Sequence, residues 1–175
     1  MSISQLLLPE FDQEIANTRK TLERVPEDKF AWKPHEKSGT LGWMAGHVAT
    51  LSDWTVNAVD ADQLDISPVG APAYQPQKFT TREELLAAFD KGTAGARAAL
   101  ARCSDEHFMK PWSLLKGGET LFTMPRYSVV RGFCFNHLIH HRAQLTMYLR
   151  ALNVPVPALY GPSADEGQMG EAAKA

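Results

Sequence analysis

Two histidines, His137 and His141, stand four residues apart in the run Asn136-His137-Leu138-Ile139-His140-His141-Arg142-Ala143-Gln144-Leu145. On a helix this spacing sets the side chains one above the other, with Cβ atoms about 5 to 6 Å apart, a separation that one metal ion bridges. A third neutral nitrogen is available from His47, in Leu41-Gly42-Trp43-Met44-Ala45-Gly46-His47-Val48-Ala49. Three protein ligands and one open position are the arrangement of a catalytic ion, whereas four closed ligands mark a structural one. A plainer reading stands beside this one, in which each histidine is a core residue satisfied by a carbonyl or carboxylate. His140 could also replace His141, pairing with His137 at i, i+3. The stripe Val130, Cys134, His137, His141, Leu145, Tyr148 and Leu152 favours His141 for the inner face.

Trp43 lies one turn before His47 and could line a pocket beside a metal, although tryptophans read first as core and anchor residues. Cys134 precedes His137 by three residues and could line the pocket or add a thiolate, but a buried cysteine is more often a small apolar filler. His35 and His107 fall in expected connections, have no partner by spacing, and read as solvated. No serine or cysteine sits in a GxSxG elbow, and neither GxxxxGK[ST] nor GxGxxG occurs. Glu23, Asp53, Glu83 and Glu84 read as solvated helix faces, so no general base or other catalytic residue is assigned.

The elements that must carry the three histidines are helical. Leu7, Phe11, Ile15, Thr18 and Leu22 mark a first helix between Ser4 and Val25, its regular part expected from near Leu8 because Pro9 suits a first turn. Thr40 caps a second helix reaching about Val59, with His47 bordering its apolar stripe and Gly42, Ala45 and Gly46 leaving room for a backbone or a bound ion. Residues 60–80, rich in proline and glycine, read as a long crossover without regular structure. Thr81-Arg82-Glu83-Glu84 is a capping box that opens the third helix. Trp112–Lys116 and Glu119–Thr123, joined by Gly117-Gly118, read as a small hairpin. The fourth helix runs from near Pro125 to about Leu152. Residues 1–157 form one domain in this reading, and 158–175 a C-terminal extension whose last ten or so residues are mobile.

Composition limits the function. With 175 residues, 44% of them hydrophobic, the chain supports one core without disulfide or metal staples. A net charge of −2 with no basic run lacks the electrostatic footprint of a nucleic-acid binder. No apolar run approaches the roughly 18 residues of a membrane span, and no secretory leader pattern opens the chain. Two cysteines without CxxC spacing suit a reducing compartment, so a cytoplasmic protein is expected.

The segments Trp32-Lys33-Pro34-His35, Ser38-Gly39-Thr40-Leu41-Gly42-Trp43-Met44-Ala45-Gly46-His47 and Asn136 to Leu145, with the closing Val154-Pro155-Val156-Pro157 and Tyr160-Gly161-Pro162-Ser163-Ala164-Asp165-Glu166, resemble the DinB/YfiT-like superfamily of small helical metalloproteins. The resemblance covers most of the chain. It implies an all-α four-helix bundle of DinB type, with the long crossover after helix 2 and the hairpin between helices 3 and 4, commonly dimeric. It also implies a nickel or zinc ion held by one histidine of the second helix and two of the fourth, here His47, His137 and His141. Relatives with known chemistry are transferases and isomerases that use bacillithiol, mycothiol or glutathione. The leading expectation is therefore a metal-dependent enzyme that activates a low-molecular-weight thiol against a small electrophile lodged near Trp43. A metal-dependent hydrolase and a non-catalytic stress-response module share the same site. Spacing alone does not choose the metal, since imidazole suits zinc, nickel, copper and iron.

Overall fold

The computed structural model describes residues 1–72 and 75–167, and the expected mobile tail falls largely outside this range. The fold is mostly helical, with one small three-stranded mixed sheet. Helix α1 spans Ile3–Leu22 and starts earlier than Pro9 suggested. Ser2 and Gln5 form a reciprocal capping box, and the Ser4 hydroxyl donates to the carbonyls of Leu100 and Cys103, at 2.8 Å each. These anchors, with Leu7 and Phe11 buried on either side of Pro9, hold the first two turns helical despite a proline cost of about 3 kcal/mol.

The expected second helix is two helices, α2 (Leu41–Thr50) and α3 (Asp53–Asp60). At the break the Thr50 hydroxyl bonds back to the Gly46 carbonyl at 2.9 Å, and Trp54 and Thr55 donate to Leu51 and Ser52 in tightened i, i+3 bonds. Part of the crossover is regular after all. Strand β1 (Gln63–Asp65) is followed by α4 (Arg82–Arg102), α5 (Asp105–Met109) and strands β2 (Pro111–Lys116) and β3 (Glu119–Pro125). β1 pairs parallel with β2, so the expected hairpin is the antiparallel half of a sheet ordered β1-β2-β3. Asp65 explains the attachment, because its carboxylate accepts from the backbone of Gly117 and Gly118 at 3.0 and 2.7 Å. The turn itself matches expectation, with φ of +63° and +82° at those two glycines. His107, in the unexpected α5, is half-buried, and its Nε2 lies 2.7 Å from the Val59 carbonyl.

The last helical stretch contains α6 (Arg126–Val129), a π-helical segment (Val130–Asn136) and α7 (His137–Ala151). Around the core α1 packs on α4 and α7, while α2 packs on α4 and α7 and α3 on α4. One apolar cluster gathers Phe11, Leu100, Phe108, Trp112 and Phe135, and a second gathers Leu41, Val48, Phe89, Leu138 and Leu145. The packing of α2 on α7 faces His47 toward His137 and His141.

Candidate metal centre

Helix α2 begins where the Thr40 hydroxyl accepts from the backbone of Trp43 at 3.2 Å, and His47 lies less than two turns further on. The small residues around it serve packing. A Cβ at Gly42 would stand 3.1 Å from the Phe30 carbonyl oxygen, and one at Gly46 would stand 3.1 Å from the Phe79 ring. It is therefore neighbouring chain that approaches these glycines closely. His137 opens α7 directly after the π-helical segment, a wider turn that is frequent at functional sites.

The three imidazoles converge. His47 Nε2 lies 3.4 Å from His137 Nε2, and one ring nitrogen from each of His47, His137 and His141 falls within 4.8 Å of the other two. Ring centroids are 5.1 Å apart for His47 and His137, 4.5 Å for His47 and His141, and 4.7 Å for His137 and His141, a nearly regular triangle. Two nitrogens held at about 2.1 Å from a tetrahedral ion are separated by about 3.4 Å, so the observed gap has the span that a shared ion requires. His140 is exposed and outside the triangle, although its ring lies 4.8 Å from that of His141.

Electrostatics keep these rings neutral, the form in which an imidazole ligates. Burial, and then the mutual repulsion of His141 and His137, lower the His47 pKa to about 4. His137 is lowered by burial and by His141, and His141 by burial, with its Gln144 hydrogen bond opposing the shift. The partners of the remaining nitrogens differ. His141 Nδ1 lies 2.7 Å from Gln144 Oε1, which leaves Nε2 as the nitrogen free to face the cluster. His137 Nδ1 is buried, and the Phe133 backbone beside the ring opposes the lowering of its pKa. The donor set therefore fits a divalent metal: three neutral nitrogens, half-buried and convergent, with no acid among them.

Trp43 stacks on His47, with ring centroids 5.2 Å apart and planes 14° apart, and remains 44% exposed. Gly39 makes room for it, since a Cβ there would meet the indole at 2.5 Å. On the His141 side Trp43, Met44, Met147, Tyr148 and Ser38 wall a cavity of about 380 Å³. On the His137 side Phe133, Asn136 and His140 border another of about 290 Å³. A larger cavity, about 790 Å³ and bordered by Asp53 and Lys91, touches none of the three histidines. Cys134 stands away from both histidine-lined cavities, buried in the first core cluster, where burial pushes its thiol up to about 12 against a hydrogen bond with Thr55. It occupies a core position there, and Met147, Tyr148 and Gln144 border the site; Gln144 falls within the histidine run and Tyr148 on the apolar stripe, yet neither is assigned a role from sequence, and Met147 lies outside both. Gln144, three residues after His141, could have been found from helical spacing alone.

A model of the DinB superfamily matches residues 10–145. The uncharacterized protein YrdA of Bacillus subtilis (strain 168) is 25% identical over 160 residues, covering 91% of this chain and 89% of its own. Among solved structures, a DinB-like protein from Bacillus cereus ATCC 10987 superposes with a TM-score of 0.68 at 18% identity, covering 91% of this chain and 98% of its own. The DinB-like protein YjoA from Bacillus subtilis gives 0.66 at 18% identity, with coverages of 87% and 96%. At that identity the two structures establish a shared fold.

Proposed function

We propose that this chain, which belongs to the DinB superfamily, is a metal-dependent enzyme that activates a low-molecular-weight thiol for S-transfer or isomerisation of a small electrophile. The observation that carries the reading is the convergence of His47, His137 and His141, with two Nε2 atoms 3.4 Å apart. These three residues would hold a nickel or zinc ion. When bound, such an ion supplies Lewis acidity that favours the deprotonated form of a thiol or of water at the open position.

The chain's own residues supply the rest. The neutral imidazoles offer lone pairs without first losing a proton at pH 7. Trp43, Met44 and Met147 provide an apolar wall beside His141 that can hold the hydrocarbon part of an electrophile, and Ser38, Gln144 and Tyr148 add polar groups to the same cavity. The His137 side, with Phe133, Asn136 and His140, is a second approach to the site. Two copies of the chain are proposed to associate as a homodimer, which light scattering tests; a mass of one chain at all concentrations rejects it. Membrane insertion has no support in the helices, since none among the described residues is long and apolar enough to cross a bilayer.

The test is turnover of a generic thiol-reactive electrophile by metal-loaded protein with and without added thiol. Turnover that needs both metal and thiol supports S-transfer. Hydrolysis of small esters or amides without thiol moves the assignment to a metal-dependent hydrolase. Absence of turnover in every arm, with metal raising only the unfolding temperature, leaves a binding module.

A further inference from the structure

We infer that Gln144 is a positioning residue, which fixes the tautomer of His141 and thereby makes that imidazole available as a ligand. The half of this inference that concerns metal affinity rests on the function proposed above; the tautomer assignment does not. Gln144 follows His141 by three residues on α7, so its amide lies one turn away on the same face. Its Oε1 is 2.7 Å from His141 Nδ1. A carbonyl oxygen only accepts, so the proton of the neutral ring sits on Nδ1 and the lone pair is left on Nε2.

The opposite amide orientation would reverse the outcome. With the NH₂ group toward Nδ1, Gln144 would donate, the ring proton would move to Nε2, and the ligating lone pair would be lost. One rotation of a side-chain amide thus decides whether the third nitrogen of the triangle is a donor or a ligand. Among the described residues, neither His47 nor His137 meets a side-chain amide. His47 stacks on Trp43 and meets His137 Nε2 through its own Nε2, and the ring of His137 has the Phe133 backbone beside it. Among the described residues, control of tautomer by a side-chain amide is therefore seen at His141.

The experiment compares the wild type with Gln144→Glu, which keeps an acceptor and cannot donate, and Gln144→Leu, which keeps the bulk and loses the acceptor. Two readouts are taken: ring ¹H–¹⁵N correlations of His141 in metal-free protein at neutral pH, and zinc affinity by competition with a chromophoric chelator. The expected result is the Nδ1–H form in the wild type and Gln144→Glu, and a mixture of tautomers in Gln144→Leu. Removal of an outer partner of this kind weakens metal binding about 10- to 100-fold, so Gln144→Leu should fall in that range while Gln144→Glu stays within about threefold of the wild type. A wild-type His141 protonated on Nε2, or a Gln144→Leu protein equal to the wild type in both readouts, overturns the inference. A wild type that keeps Nδ1–H and binds no zinc overturns the metal reading and leaves the Gln144 assignment in place.

Discussion

His141 and Arg142 are neighbours on α7 and serve two polar clusters built in opposite ways. The Arg142 side chain, 1% exposed, has its needs met by the protein. It donates to the Glu14 carbonyl at 3.0 Å and the Thr18 hydroxyl at 3.2 Å, pairs with the Glu14 carboxylate at 2.7 Å, and reaches the Tyr160 hydroxyl. Tyr160 in turn donates to Glu14 at 2.6 Å, and its ring lies 5.2 Å from the guanidinium carbon. The cluster is closed, and it ties the segment after α7 back onto α1. On a neighbouring face, His141 joins two other imidazoles whose ring nitrogens converge with no carboxylate among them. A closed cluster of this kind meets its polar groups with one another, whereas the histidine cluster leaves converging nitrogens at the surface of a cavity.

The sharpest way to break the comparison is to remove one member of each cluster. Arg142→Met leaves Glu14 charged and buried, and should cost about 3–5 kcal/mol of metal-free stability, read from urea unfolding. His141→Ala should leave metal-free stability nearly unchanged and reduce bound metal by more than the roughly 100-fold upper range of an outer-partner loss, read by elemental analysis after dialysis. His140→Ala should leave metal content at the wild-type value; equal losses in the two variants would reject the choice of His141.

Acidity separates the clusters further. His47 titrates near 4 in the folded chain against an ordinary value of 6.5, so between those values the unfolded chain binds the extra proton. Stability of the metal-free protein should therefore be full above pH 6.5 and fall as pH drops toward 4. His47→Leu should flatten that part of the profile in a urea series, and an unchanged slope would contradict the assignment. The smallest expected effect is Tyr160→Phe, which removes one hydroxyl from the closed cluster and should cost about 1 kcal/mol by thermal unfolding without altering metal content.

Much of this molecule is legible in its sequence, but unevenly. Helix caps at Thr40 and Thr81, and the Gly117-Gly118 turn, rest on local chemistry and lie where local rules put them. The i, i+4 histidines share a face because helical spacing is insensitive to what surrounds the helix. What the sequence hides depends on distant partners. β1 exists because residues 63–65 meet β2 and Asp65 meets the turn glycines, none of which a three-residue run of ordinary side chains announces. The break after Thr50 and the π-helical segment before His137 are likewise choices of packing among nearly equal helical geometries. Cys134 shows the limit of spacing. A residue three positions before His137 can still point into the core when the intervening turn is widened.

The most direct measurement is X-ray absorption on protein loaded by dialysis against zinc and, separately, nickel, with metal content measured in the same samples. The expected result is one ion per chain whose first shell contains three imidazole nitrogens at about 2.0–2.1 Å for zinc, abolished in the triple variant His47→Ala, His137→Ala, His141→Ala. A wild type that retains no stoichiometric metal, or a triple variant that binds it as well as the wild type, would contradict the account.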